Sequence, residues 1–250
     1  MYFNIISSGS KGNATIVVHK DTVILIDIGI AFSRLEEEMS KLNLKPGEIT
    51  GALFTHNHTD HINGLKFLPV KKQYALERTL PTSGHNVLEL FTEFQIGDLF
   101  VTPIKSSHDA INPCGYVIKS DEEKLVYLTD TGVFEECNIP HTYNPDYIIL
   151  ESNHDISMLL KTNRPQHLKN RIMSDVGHLC NEDSAIACLQ MLGPNTKEVV
   201  LAHLSEEANT PEVAIEAYKK IFKYFNKEIK GFELRCANQW TALLGGNYEN

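Results

Sequence analysis

The chain has 250 residues, 42% of them hydrophobic and 22% charged, and a formal charge of −9. Such a composition excludes a collagen-like, low-complexity or disordered chain and leaves enough apolar residues for a large core. The acidic balance argues against general attraction to polyanions, although bound dications or a local basic patch can reverse the field where it matters.

No stretch approaches ~18 uncharged apolar residues, and "MYFNIISSGSKGN" lacks a basic region followed by an apolar one, so neither a membrane span nor an export signal is expected. Cysteines stand at 114, 137, 180, 188 and 236 with no C-x-x-C pair. An odd, unpaired set points to a reducing cytoplasm rather than a disulfide framework or a structural zinc site.

In chain order, "FNII", "ATIVV" and "TVILID" read as strands, and residues 31–42 as a helix. "ITGALF" is the next strand and runs into "THNHTDH", with a helical pattern near 62–68. Then come "LFVTPI", "CGYVIK", "KLVYLT" and "YIILES", helices at 165–173 and 181–192, the strand "EVVLAH", a helix at 211–225 and the strand "FELR". The last helix is the best marked: Thr210 can cap it, Pro211 suits its first turn and Glu212 suits its dipole. No Pro/Gly/Ser linker divides the chain and no fixed-period repeat is visible. Strands punctuated by helices fit an α/β protein: an αββα sandwich of two packed mixed sheets with helices on both outer faces, as a single domain over residues 1–250.

The segment 56–61 concentrates chemistry. If the strand continues through it, His56, His58 and Asp60 fall on one side by the two-residue period, and His61 begins the next segment and points elsewhere. One short stretch can then serve two adjacent metal ions, His56 and His58 on one, Asp60 and His61 on the other. Three of the chain's 11 histidines in six positions make an accidental surface cluster a poor explanation. Two ions need further ligands, and His108, Asp130 and His203 each stand at or just after an apolar run. Asp27, in "ILIDIG", is expected to orient a ligand histidine by hydrogen bond.

"HNHTDH" resembles the H-x-H-x-D-H signature of the metallo-β-lactamase superfamily, and Asp27, His108, Asp130 and His203 match its other motifs in order. The resemblance implies the αββα fold and a dinuclear centre, with His56, His58 and His108 on one metal, Asp60, His61 and His203 on the other, and Asp130 bridging. Zinc is the expected metal, and mixed His/carboxylate ligation also accepts manganese or iron.

Secreted β-lactamases resemble the chain poorly, as Asp130 stands where their commonest class has cysteine; glyoxalase II-like thioesterases usually show "GHT-x-G" where this chain has "SHDA". A thioester or lactone hydrolase is therefore the lesser reading. The phosphodiesterase branch, which includes tRNase Z, adds a glutamate and a histidine that match Glu151 in "ESNHD" and His178 in "GHLCN". "SGSKGN", "TDTG", "ESNHD", "GHLCN" and "LAHLS" look like the YycJ/WalJ branch and the related phage anti-Pycsar proteins, with Cys180 where serine is usual.

Hydrolysis of a phosphodiester needs activated water, positive charge and an acid for the departing oxygen. Paired dications supply the first two, with Asp60 among the catalytic residues as a ligand, and His178, supported by Glu151, supplies the third. Residues 156–174 hold Lys161, Arg164, Lys169 and Arg171 without an acid, which suggests that Arg164 and Arg171 face phosphate. Asn13, in a loop able to offer backbone N–H groups, and His154 complete the candidate substrate contacts.

The YycJ/WalJ resemblance implies a 5'-to-3' exonuclease on DNA, and the anti-Pycsar resemblance implies hydrolysis of small cyclic nucleotides such as cyclic CMP and cyclic UMP. A DNA-tracking protein makes ~6–10 phosphate contacts, and only one obvious basic segment stands out, so a cyclic nucleotide is the favoured substrate and DNA the alternative. The resemblance also implies a homodimer. It further implies, for a phage-encoded chain, action in the host cytoplasm against a Pycsar-like defence.

Overall fold

The computed structural model of the chain describes residues 1–248. Its first part comprises β1 (Tyr2–Ser7), β2 (Ala14–His19), β3 (Thr22–Ile26), α1 (Phe32–Lys41), β4 (Ile49–Leu53), α2 (Thr59–Ile62), β5 (Gln73–Leu76) and β6 (Asn86–Leu88). There follow β7 (Phe94–Ile96), β8 (Leu99–Lys105), β9 (Cys114–Lys119), β10 (Lys124–Leu128), α3 (Ile139–Thr142), β11 (Tyr147–Glu151), α4 (Ile156–Lys161), α5 (Gln166–Ile172), α6 (Asn181–Met191), β12 (Glu198–Ala202), α7 (Pro211–Tyr224), β13 (Glu233–Cys236) and β14 (Leu243–Gly246).

The strands form two sheets of seven, ordered β14-β1-β2-β3-β4-β5-β6 and β13-β12-β11-β10-β9-β8-β7. Strand alternation explains why they stack. In β3, Ile24 and Ile26 point into the layer between the sheets, whereas Val23 and Leu25 point outward. Facing them across the shared layer are Val101, Tyr116, Ile118, Tyr127 and Ile149 of the second sheet. The outward side of the first sheet packs on Leu35 and Met39 of α1, and that of the second on Ala185, Cys188, Ala214, Tyr218 and Phe222 of α6 and α7. Both faces of each sheet are thus covered, so the strands carry unbroken apolar runs rather than polar alternation. The architecture is the αββα sandwich expected from the sequence.

Four strands escaped the sequence reading. β5, β6, β7 and β14 are three or four residues long and partly exposed, too short for a period-two signal to separate from loop. The helical pattern at 62–68 resolves into the single-turn α2 and a 3-10 turn at Leu65–Phe67, since Gly64 and Pro69 leave too few residues for a longer helix. α4 was missed as well; Asp155 caps it, its side chain accepting from Met158 N at 2.7 Å.

The largest correction concerns 56–61. β4 stops at Leu53, His58 occupies the N-cap position of α2, and Asp60 and His61 lie within that turn. Asp60 therefore reaches its place by helical, not strand, geometry. The second sheet clamps the segment: the Tyr116 hydroxyl donates to Phe54 O at 2.6 Å and Cys114 N to Thr55 O at 2.9 Å. These two hydrogen bonds spanning the sandwich thus fix where the histidines begin.

Candidate metal centre

The site sits where β3, β4, β10, β11 and β12 end. Asp27 follows β3, Asp130 lies two residues beyond β10, and His203 follows β12, with φ of +57°, +55° and +54°. Non-glycine residues are uncommon in that left-handed region, and the surrounding structure must hold them there. The turn aims each side chain across the sheet end rather than along the strand.

Four segments converge. His56, His58 and His108 bring ligand atoms within 4.8 Å of one another, as do Asp60, His61 and His203. Asp130 belongs to a group with His56 and His61 and to another with Glu151, His178 and His203. It stands between the two sets, its Oδ2 3.4 Å from His61 Nε2. All seven residues that the resemblance assigns to metal are brought together, in an arrangement compatible with a dinuclear divalent centre.

Hydrogen bonds aim the rings. His61 Nδ1 donates to Asp27 Oδ2 at 2.8 Å, and the Thr55 hydroxyl and N–H donate to the same carboxylate at 2.8 and 2.9 Å. With its own proton given to Asp27, Thr55 Oγ1 accepts from His56 Nδ1 at 3.0 Å. His108 Nδ1 donates to Gly177 O at 2.9 Å and His203 Nδ1 to Glu151 Oε1 at 2.9 Å. Each of these four rings thereby turns Nε2 inward, which is the arrangement metal-ligating histidines adopt.

Metal fit is tested by what the protein leaves unpaired. Among the described residues, His56 Nε2, His203 Nε2 and Asp130 Oδ2 find no hydrogen-bond partner although they are buried. An orphaned buried polar atom costs about 1–3 kcal/mol, and cations between Asp130 and these two rings would satisfy all three. The charges agree. Burial pushes His56 well below its usual range, and burial also lowers His108. Burial acts the same way on His61 and His203, but Asp130 together with Asp27 at His61 and Glu151 at His203 outweighs it and raises both to about 9. Asp130 itself, despite burial, is held far below the ordinary carboxylate range by His203 and His61.

A family model described as a beta-lactamase superfamily domain matches residues 22–204. Over 227 residues the chain is 34% identical to the exodeoxyribonuclease WalJ of Streptococcus pneumoniae, covering 85% of this chain and 84% of that one. Over 245 residues it is 33% identical to the exodeoxyribonuclease YycJ of Bacillus anthracis, covering 93% and 91%. The chain belongs to the beta-lactamase superfamily and, within it, to the WalJ/YycJ family. The solved structure of the metallo-β-lactamase fold protein YhfI of Bacillus subtilis superposes with a TM-score of 0.71 at 17% identity, over 98% of this chain and 99% of that one. That likeness concerns the fold.

Within this WalJ/YycJ-family site, Glu151 has more partners than the sequence reading gave it. Fully buried, it accepts from His178 Nδ1 at 2.7 Å, from His203 Nδ1, from Thr131 N at 2.9 Å and from Leu179 N at 3.2 Å. Burial pushes its carboxyl up, but His178 and these hydrogen bonds prevail and hold it down at about 2. It therefore stays ionised and couples a metal-facing ring to one that keeps an opening to solvent, His178 being 14% exposed.

The weaker candidates fare differently. Asn13 is buried; its N–H donates to Asp60 O at 2.8 Å and its Oδ1 accepts from Gly9 N at 2.8 Å. Gly12 N bonds Gly9 O and Lys11 N bonds Gln239 Oε1. With the N–H groups of Gly9, Lys11, Gly12 and Asn13 spent, Ser10 N alone is left, which makes no phosphate nest; Asn13 instead pins the Asp60–His61 turn, its Nδ2 2.9 Å from His61 Nε2.

His154 is 1% exposed and cannot line an open pocket; burial lowers it to about 4. The basic segment is also largely spent. Arg164 pairs with Glu207 at 3.0 Å, Arg171 chelates Asp109 through two nitrogens, and Lys169 is buried with Nζ on Leu160 O and Thr162 O. Arg171 reaches the rim only through Asp109, which neighbours His108. Sequence reading missed Thr55, which orients two rings, although it stands inside "FTHNHTDH", and Ser8, whose Oγ accepts from His203 N at 2.8 Å.

Proposed function

We propose that this metal-dependent phosphodiester hydrolase is an exonuclease that removes nucleotides from DNA in the 5'-to-3' direction. The observation that carries the reading is the union of the orphaned cage at His56, Asp130 and His203 with the His178–Glu151 pair at its open edge. Relatives that match this chain over most of their length are named exodeoxyribonucleases.

When bound, the ion pair would supply the charge that activates water and receives phosphoryl oxygens. His56, His58, His108, Asp60, His61, His203 and Asp130 would hold it. The remaining work falls to the chain itself. His178, anchored through Nδ1, presents Nε2 to the opening and gives its proton to the departing sugar oxygen as the P–O bond breaks. Glu151, ionised beneath the ring, compensates the charge of an imidazole protonated on both nitrogens.

The preference for a cyclic nucleotide drew on a shortage of basic residues, and relatives named exodeoxyribonucleases weigh against it. Residues 156–174 contribute little free charge, and Lys219, Lys220, Lys223, Lys227 and Lys230 lie exposed along and beyond the end of α7, at the end of the second sheet away from His203.

The test is digestion by purified holoprotein of DNA labelled at either end, beside cyclic CMP, cyclic AMP and bis(p-nitrophenyl) phosphate. Stepwise release of label from the 5' end, with cyclic nucleotides intact, is expected. Ring opening of cyclic CMP with DNA untouched overturns the reading in favour of a small-nucleotide hydrolase.

A further inference from the structure

The chain has one tryptophan, and nothing in the site described above uses it. Trp240 is 61% exposed. It stands four residues past the end of β13, whose partner β12 ends one residue before His203, and parallel pairing puts both ends at the same edge of the sheet. Ala237 N donates to Leu201 O at 2.8 Å, and Ser8 links the two loops by donating its N–H to Asn238 O while its Oγ accepts from His203 N. The indole is therefore carried by the loop next to a metal-facing histidine.

The loop beneath it is rigid. Gln239 is buried; its Nε2 donates to Ser7 Oγ at 2.7 Å and to Gly12 O at 2.9 Å, and its Oε1 accepts from Lys11 N at 2.9 Å. A Cβ on Gly9, where φ is +147°, would stand 2.5 Å from Gln239 Oε1, so the fit leaves no room for drift. Asn238 Oδ1 accepts from the N–H groups of Trp240 and Thr241 at 2.7 and 3.2 Å and turns the ring outward.

The ring is also oriented. Trp240 Nε1 donates to Glu206 Oε1 at 2.7 Å, and Lys11 Nζ, paired with Glu206 Oε2 at 2.7 Å, lies 5.0 Å from the ring centroid. Beside it runs a cleft of about 110 Å³ lined by Ser8, Leu204, Ser205, Asn209 and Gln239. A large apolar ring fixed at its base, held at its edge by a hydrogen bond and left in water has no packing role in the free protein.

We infer that Trp240 is a stacking platform for an unpaired nucleobase of the strand whose phosphate lies at the metal centre. The inference rests on the nuclease reading and deepens it. Every base offers a π-face to an aromatic ring, so the contact holds DNA without reading sequence. A base must leave its duplex stack to use the platform, so single strands and frayed ends are preferred over blunt duplex ends.

A lone tryptophan reports on its own contact. The holoprotein is titrated with a short single-stranded phosphorothioate oligonucleotide that resists cleavage. Intrinsic fluorescence is followed together with the anisotropy of a dye on the far end of the strand. Quenching that saturates with the anisotropy is expected. Trp240→Ala weakens binding by about 5- to 150-fold, the range that one lost base–aromatic stack implies, and Trp240→Phe recovers most of it. Metal content and melting temperature of both variants match wild type, since the ring is exposed. Saturable anisotropy with unchanged fluorescence, or unaltered affinity of Trp240→Ala, overturns the platform alone. Failure of wild type to bind or cut any DNA overturns the nuclease reading, and the platform with it.

Discussion

Strands β1 to β6 and β8 to β13 repeat one scheme: two antiparallel pairings followed by three parallel ones, with β14 and β7 each added at the antiparallel edge. An aspartate in left-handed conformation follows the third strand of each half, Asp27 in the first and Asp130 in the second. Their surroundings differ. Asp27 spends both oxygens on Thr55 and His61, whereas Asp130 keeps Oδ2 buried and unpaired. The same turn thus yields an orienting carboxylate in one half and a cation-facing one in the other. What separates them is whether the protein has supplied the partners.

That contrast breaks most sharply at Asp130. Replacing it with Asn keeps the shape and removes the charge shared between the two ligand sets. Turnover of bis(p-nitrophenyl) phosphate should fall by roughly three orders of magnitude, matching several kcal/mol of lost charge stabilisation, together with loss of bound metal. A variant that keeps both full metal content and activity would falsify the bridging role. His178→Ala comes next: metal content should be retained while turnover drops ~10²–10⁴-fold, the usual share of a general acid. If metal were lost along with activity, His178 would be a ligand and not a proton donor.

At Asp27 the expected effect is smaller. Asp27→Asn leaves His61 aimed but supports its Nδ1–H less well, so metal affinity should weaken about 10- to 100-fold while turnover at saturating metal changes far less. Competition against a chelator measures it, and unchanged affinity would refute the orienting role. The same titration sharpens the comparison through pH. In the metal-free protein His61 and His203 are raised to about 9, so near neutrality both carry a proton that a cation must displace. Affinity should therefore rise with pH up to about 9, by about tenfold per pH unit for each proton displaced. A flat profile between pH 6 and 8 would show that the rings are already deprotonated.

The two halves also differ in how far they can be read from sequence. The first half places His56, His58, Asp60 and His61 in one contiguous run, which is visible without any fold. The second supplies His108, Asp130, Glu151, His178 and His203 from separate crossings. His108, Asp130 and His203 were found because each stands at or just after an apolar run and the motif order resembled a known family, and Glu151 and His178 through that resemblance alone. Long strands buried on both faces were legible from their unbroken apolar runs, and four short strands were not. The free charge was misjudged because sequence shows composition and not pairing. Arg171 and Asp109 lie 62 positions apart, and Lys169 spends its ammonium inside the fold.

Helix capping separates the two layers by a last, small effect. α7, on the second sheet, begins at Thr210, whose Oγ1 accepts from Val213 N at 3.3 Å, whereas α1, on the first, begins at Ala31, which has the extended backbone of a cap (φ −62°, ψ 137°) but no side-chain acceptor. Opposite substitutions should move stability in opposite directions. Thr210→Ala removes an acceptor and should cost about 1 kcal/mol, and Ala31→Asp adds one at an exposed position and should gain a similar amount, helped by the helix dipole. For a chain of this size each corresponds to a shift in melting temperature of about 2–4 °C. Thermal unfolding of the metal-free protein reads both without interference from ligand binding. Equal and opposite shifts would show that α1 folds without help from its first turn. Destabilisation by Ala31→Asp would mean instead that the turn between β3 and α1, which also carries Asp27 and Gly29, tolerates no added carboxylate so near the metal centre.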